Sequence, residues 1–169
     1  MPKPTAIILV HPGSLLTHSM PERFEDALQD FENHEGPRIV IDGFLSDGLG
    51  RYNLRIWSAM VEAVGRGHFA MRLWGCDSGE APFPGWSGYG SEANGIPERF
   101  DGQVAAAASL ASLLDNHDVV ATGAWATRDD SSGCVNSVIE GLRGSGWQGN
   151  AEILSSALLE DDLEYGCAP

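Results

Sequence analysis

Side chains able to act as nucleophiles, bases or ligand contacts follow the short apolar segments of this chain. The candidates, in chain order, are His11, Ser14, Asp42, Asp77, Trp125, Arg128 and Cys134. A thiol, an imidazole and a carboxylate can together supply a nucleophile and its general base. If these groups meet in the folded protein, the pattern favours a hydrolase or transferase that acts on a small molecule.

Cys134 is the strongest candidate for a nucleophile, because it stands just before an apolar helical stripe. With Ser131 or Ser132 as the N-cap, Cys134 lies in the first helical turn, where the helix dipole favours a thiolate. Arg128 would favour the thiolate further, whereas the two aspartates after it would oppose it. The alternative is a core cysteine that packs beside Val135, since free cysteines are often buried.

His11 and Asp42 are the candidates for the general base, and the first-turn N–H groups near Cys134 would stabilise an oxyanion. A histidine at a strand end is also commonly a hydrogen-bonded structural residue. His18, Asp42 and Asp77 lack the spacing of a metal site, and no GxGxxG or P-loop pattern follows the first apolar segment. We therefore expect neither a metal nor another cofactor.

The segment 78–96 is rich in glycine and carries Trp86 and Tyr89. A connection of this length is commonly a lid or a binding loop, although it can also fold over its own aromatic side chains. As a lid it would close on a ligand, so we expect its aromatic rings to contact substrate. Ser14, Asp77, Trp125 and Arg128 are the other predicted substrate contacts.

These candidates need a scaffold, and the hydrophobic pattern predicts an α/β fold. Five short apolar segments alternate with four helical patterns. Such alternation is typical of parallel pairing with right-handed crossovers, which place helices on both faces of the sheet. We predict a Rossmann-like three-layer α/β/α sandwich, with a mostly parallel sheet of about five strands, as one domain over residues 1–169. Ligands bind beyond the carboxyl ends of such strands.

Four details of this pattern can be checked directly. Ser19 and Glu22 have the spacing of a capping box. The second helix is expected to bury an apolar stripe made of Leu54, Trp57, Val61 and Val64. The third helix is predicted to begin near Pro97, and the last strand to run from Ala151 to Leu158.

The chain carries 24 acidic and 10 basic residues, a formal net charge of -14. Such a charge repels phosphate backbones and anionic lipid, so neither nucleic acid nor membrane is an expected partner. No apolar run approaches the ~20 residues that span a bilayer, and the amino terminus does not look like a secretory signal. Three widely spaced cysteines indicate reduced thiols. We expect a cytoplasmic protein, and self-association into a homo-oligomer is left open.

The stretch from Val119 through Gly123 to the pair Cys134-Val135, followed by an apolar helix and a further strand, resembles the isochorismatase-like cysteine hydrolases over residues 118–160. The resemblance implies an α/β fold and a nucleophilic cysteine at a helix start. The family's catalytic Asp at the end of the first strand is not matched, since His11 stands there. Its catalytic Lys is not matched either, because Lys3 is the only lysine and precedes that strand.

Three functions follow as hypotheses. The first is the cysteine-dependent hydrolase or transferase. The second is a non-catalytic domain that holds a small or nucleotide-like ligand in the same crevice, as a degenerate enzyme would. The third is an interaction module whose acidic surface or tryptophans meet a protein partner.

Overall fold

The computed structural model describes residues 2–17, 20–42, 49–74, 87–90, 103–126 and 133–158. Its strands are β1 (Thr5–Val10), β2 (Arg38–Asp42), β3 (Ala70–Trp74), β4 (Ser87–Gly90), β5 (Asp118–Gly123) and β6 (Ala151–Ile153). Its helices are α1 (Pro12–Thr17), α2 (Pro21–Asn33), α3 (Tyr52–Gly65), α4 (Gln103–Leu113) and α5 (Cys134–Gly144). All five predicted strands are present.

The strands form one sheet in the order β4-β3-β2-β1-β5-β6. Five of them run parallel, and β4 is added antiparallel at the edge beside β3. Helices pack on both faces, so the predicted Rossmann-like α/β sandwich is confirmed. The strand order itself could not be derived from the sequence.

The central strands are buried on both faces, which explains their continuous apolar runs. Alternate residues of β1 enter different cores, because successive side chains of a strand point to opposite sides. Ile8 and Val10 join the core beneath α4 and α5, whereas Ile7 and Leu9 join the core beneath α1, α2 and α3. The chain therefore crosses from one face to the other between β3 and β5.

The predicted buried stripe of α3 is wrong. The residues it buries are Ile56, Ala59, Met60 and Ala63. Leu54 is 75% exposed and Val61 is 56% exposed, while Trp57 and Val64 are half-buried at the margins. Two apolar stripes share this helix, and the face with the smaller side chains packs on the sheet because it allows a closer approach. Leu54 and Val61 face away from the core, whereas Trp57 and Val64 pack against its margin.

Several predicted boundaries also change. The N-cap of α2 is Met20, and it makes no side-chain hydrogen bond. Ser19 is therefore not the N-cap that the predicted capping box requires. The N-cap of α5 is Gly133, not Ser131 or Ser132. β6 ends at Ile153, because a turn at 155–156 interrupts the run that was predicted to continue to Leu158. The predicted start of a helix near Pro97 lies outside the described residues.

Two elements lie where the sequence predicted irregular chain. The short helix α1 follows β1 directly, although Pro12 and Gly13 within it are residues that commonly mark a turn. The segment 78–96 contains β4, which pairs with β3 through backbone hydrogen bonds that do not require an apolar run. The rest of that segment, on which the predicted lid depends, lies outside the described residues.

Arg38, the most deeply buried cation among the described residues, ties two helices to the sheet. Only 1% of Arg38 is exposed, and its guanidinium donates to the carbonyl oxygens of Glu32, His34 and Ala59. Two of these carbonyls belong to the end of α2, which has no later turn to bond them. Within the described ranges, no helix has the length and apolar character that crossing a bilayer requires.

Candidate functional site

The topological switch point of the sheet lies between β1 and β5. The strand order reverses there, since the crossover that follows β1 leads to β2 on its other side. Val10 is in register with Gly123, and the Ala124 N–H donates to the Val10 carbonyl at 2.9 Å. In sheets of this kind, the crevice at such a point is where ligands bind. His11 and Trp125 are the residues that the two strands carry to its edge.

The backbone at the end of β5 forms a strained corner over residues 123–126. Trp125 has a φ of 68°, which is rare for a bulky side chain, and Gly123 has a φ of 126°. Leu158 holds this corner at both ends, because its N–H donates to Gly123 and its carbonyl accepts from Ala126, each at 2.8 Å. Strain of this kind persists where surrounding contacts enforce it, and it is concentrated at functional sites.

Cys134 is the first residue of α5 and is partly exposed, and its thiol is not part of a disulfide. Gly133 precedes it with a φ of 97°, and a Cβ there would come within 2.3 Å of the Trp125 carbonyl oxygen. The Val135 N–H donates to that same oxygen at 3.2 Å. Glycine at 133 therefore lets the helix begin directly against the 123–126 corner, with Cys134 in its first turn as predicted.

His11 is the second non-glycine residue with positive φ, at 46°. Its N–H donates to the Ile41 carbonyl at 2.7 Å, and its own carbonyl accepts the Ser14 N–H at 3.0 Å. His11 is half-buried, whereas Ser14 lies within α1 with only 7% exposed. His11 and Trp125, two non-glycine residues with positive φ, therefore lie at the carboxyl ends of the two strands that flank the switch point.

Asp42 ends β2 and is fully buried against Arg72. The Arg72 Nε donates to Asp42 Oδ2, and Arg72 Nη2 donates to Asn53 Oδ1 of α3 at 2.7 Å. The same guanidinium lies over the Trp57 ring, 5.4 Å from its centroid. Burial raises the pKa of Asp42, and the hydrogen bond and charge of Arg72 oppose that rise.

Hydrogen-bonded side chains connect the end of β5 to α2 beneath the 123–126 corner. Thr122 Oγ1 lies 2.7 Å from Ser156 Oγ, which donates to Asp30 Oδ2 of α2 at 2.5 Å. Thr122 is fully buried and Ser156 is 6% exposed. Arg23 of α2 also donates to the Ser155 carbonyl at 3.1 Å. The turn that carries Leu158 to the corner is thus attached to α2.

The structure brings His11, Trp125 and Cys134 to neighbouring positions at one edge of the sheet. Asp42 ends the next strand along, in the enclosed pair with Arg72. Tyr89 lies on β4, three strands from β1 and opposite Arg72 in register. Asp77, Trp86 and Arg128 lie outside the described residues.

One residue that shapes this region, Arg72, was missed, and for Gly133, whose N–H group was expected near an oxyanion, the need for glycine was not predicted. Arg72 stands in the middle of an apolar strand, and a charge in that position is itself a signal that a counter-charge faces it. Gly133 gave no such signal, since its need for positive φ arises from the approach of Trp125. In the part of the chain that the structure describes, no group of three or more His, Cys, Asp or Glu side chains could hold a metal ion.

The fold and this edge define a Rossmann-like α/β protein with a candidate crevice at its topological switch point. The chain was compared with protein-family models, curated proteins and solved structures, and none of them matches it.

Proposed function

We propose that the protein is a small-molecule hydrolase or transferase with Cys134 as its nucleophile. The observation that carries this proposal is the partly exposed thiol at the first position of α5, at the edge of the switch-point crevice. The partial positive charge at a helix start favours the thiolate over the thiol. The resemblance of residues 118–160 to the isochorismatase-like cysteine hydrolases supports the same role.

Of the two candidate bases, His11 is better placed than Asp42. Asp42 is enclosed and already accepts a hydrogen bond from Arg72, so taking a proton from the thiol would disrupt a buried ion pair. His11 is half-buried at the end of the strand adjacent to β5. The proposed role of His11 would also replace the acid that the resembling family carries at this strand end.

The test is the rate at which iodoacetamide alkylates Cys134 as a function of pH, read by mass spectrometry. Cys76 and Cys167 serve as internal references. We expect an inflection clearly below the ordinary thiol pKa of about 8.5. His11→Asn should move that inflection upward or slow the reaction, because asparagine tolerates positive φ but does not accept the proton. Modification of Cys134 only on unfolding would overturn the proposal.

Turnover is tested with p-nitrophenyl acetate, in which a thiolate attacks the acyl carbon and expels p-nitrophenolate. Water then hydrolyses the thioester and restores the thiol. Cys134→Ser should abolish release of p-nitrophenolate while the circular dichroism spectrum stays unchanged. Asp42→Asn is the comparison variant for the base, and we expect it to keep more activity than His11→Asn does. Equal activity of the wild type and Cys134→Ser would contradict a nucleophilic role.

The second candidate is a binding domain that uses the same crevice without catalysis. The half-buried Trp125 ring at the switch point favours it, since an aromatic face at such an edge suits a planar ligand. A binding domain predicts that a ligand raises the melting temperature of the wild type and of Cys134→Ser equally. It also predicts that Trp125→Phe keeps more of this stabilisation than Trp125→Asn, which retains the positive φ but has no ring.

A further inference from the structure

The outward face of α3 carries an apolar stripe that the fold itself does not use. Its members are Leu54, Ser58, Val61 and Gly65, and all of them are exposed. Only three large hydrophobic side chains are exposed in the described part of the chain, and two of them are Leu54 and Val61. Isolated exposed apolar residues are ordinary, but two that lie two turns apart on the outermost line of one helix form a surface.

The spacing of this stripe suits packing against another helix. Steps of four, three and four residues separate its members, which is the a/d spacing of two helices that pack side by side. Large and small side chains alternate along it, so that Leu54 and Val61 could enter the spaces above Ser58 and Gly65 of a facing helix. Trp57 and Val64 widen the stripe on one side.

The charges beside the stripe favour a second copy of this chain over another partner. Arg51 stands at one end, where it lies over the Tyr52 ring at 5.1 Å, and Glu62 stands toward the other end with its side chain 45% exposed. In an antiparallel pair centred near Ser58, Arg51 of each copy comes within about one helical turn of Glu62 of the other. The arrangement therefore complements itself, as a twofold interface must.

The charges on this face, Glu62 included, also have partners within the chain. Arg55 contacts Glu25 and Glu32 of α2, whereas Glu62 contacts Arg66 at 2.5 Å and Arg38 at 3.4 Å. Because the Arg66–Glu62 pair is exposed and therefore weak, Glu62 can exchange Arg66 for Arg51 of the other copy. These pairs leave α3 without the excess of negative charge that the rest of the protein carries, at -14 overall. Two copies can meet here with less repulsion than on an acidic face.

We propose that the Leu54–Gly65 stripe of α3 is the contact surface of a twofold dimer of this chain, with the two helices antiparallel about Ser58. The inference does not depend on the proposed activity, since it involves none of the crevice residues.

Sedimentation velocity over a wide range of protein concentration tests this proposal. We expect the wild type to dimerise, and Leu54→Glu to raise the dimer dissociation constant by roughly 100-fold, because each copy then places a charge in the contact. Leu113→Glu is the matched control, since Leu113 is the third exposed large hydrophobic residue, at 41%, and lies on α4. It should leave the dissociation constant unchanged.

The charge contact is tested separately with Arg51→Glu, which should also weaken the dimer. Arg143→Glu makes the same change in net charge on α5, where Arg143 is 50% exposed and pairs with Glu140, and should have little effect. If the two variants weaken the dimer equally, the loss is one of net charge and the Arg51 contact is overturned.

A disulfide reports the twofold axis itself. Ser58→Cys should form a 58–58 cross-link under mild oxidation, identified by peptide mass spectrometry, whereas Ser112→Cys, at an exposed position of α4, should not. A wild type that stays monomeric at every concentration would overturn the proposal, whatever else binds the stripe. So would a dimer that Leu54→Glu leaves intact, or one that Ser58→Cys fails to cross-link.

Discussion

At position 123 the backbone leaves no room for a side chain. A Cβ there would come within 1.9 Å of the Val10 carbonyl oxygen, and the φ of 126° is itself unfavourable for L-residues. We expect Gly123→Ala to lower the free energy of unfolding by more than about 3 kcal/mol, measured by urea denaturation. Gly67→Ala is the control, because Gly67 has a φ of 88° but no atom within 4 Å of its Cβ. Only the conformational cost of about 1–2 kcal/mol should appear there.

His34 makes stability depend on pH. Its Nε2 donates to the Thr5 carbonyl at 2.7 Å, and burial lowers its pKa below the ordinary 6.5 because the protonated ring loses hydration. The unfolded chain therefore binds protons more readily than the folded one. We expect stability to fall as the pH drops through 6.5 toward the lower pKa of the folded protein.

The measurement is urea denaturation at about pH 7.5 and about pH 5.5. His34→Gln should reduce the difference between the two, because glutamine can still donate to Thr5 and does not titrate in this range. Burial also lowers the pKa of His117, which should leave part of the pH dependence in place. A variant as sensitive to pH as the wild type would show that His34 does not contribute.

Among individual residues, the sequence identified those whose role depends on their own side-chain chemistry and on the residues next to them. Cys134 was placed correctly in the first turn of a helix, because the apolar stripe after it predicts where that helix starts. The role of Arg72 was not predicted, since its partners Asp42 and Asn53 lie 30 and 19 residues away. Such a pair exists only once β2, β3 and α3 have packed together.

At the scale of elements, the turn after β6 depends on a hydroxyl. Ser156→Ala removes the contacts to Thr122 and Asp30, leaving the buried Thr122 hydroxyl without this partner at a cost of about 1–3 kcal/mol, whereas the exposed Asp30 can bind water instead. Hydrogen exchange at the N–H groups of Leu158 and Ala126 should accelerate, because this turn positions both bonds. Ser155→Ala keeps the carbonyl that Arg23 binds and should change stability by less than about 0.5 kcal/mol. Equal effects of the two variants would contradict this account.

The helix α3 shows why periodicity alone predicts an element better than its orientation. Its sequence holds two apolar stripes with helical spacing, and both are consistent with a helix. Only the approach to β2 and β3 selects the side with Ala59 and Ala63, which permits close packing. Leu54 and Val61 are left exposed for another partner, which we propose to be a second copy of the chain.

For the whole molecule, the net charge of -14 opposes compactness through mutual repulsion. We expect the urea midpoint to rise as NaCl is added from low ionic strength, with most of the gain below about 0.3 M because screening is then nearly complete. KCl should act equally. A midpoint that falls with salt would indicate that the paired charges, such as Arg55 with Glu25 and Glu32, outweigh the repulsion.

The sequence by itself determined the α/β class, five of the strands and the apolar stripe of α5. These features depend on local periodicity and burial, which each segment carries in its own residues. Strand order, the face that α3 presents and the strained corner at residues 123–126 were decided by tertiary structure. Each depends on contacts between residues far apart in the chain, such as Leu158 with Gly123 or Asp42 with Arg72. The energies of those contacts are set by packing and burial that no single segment contains.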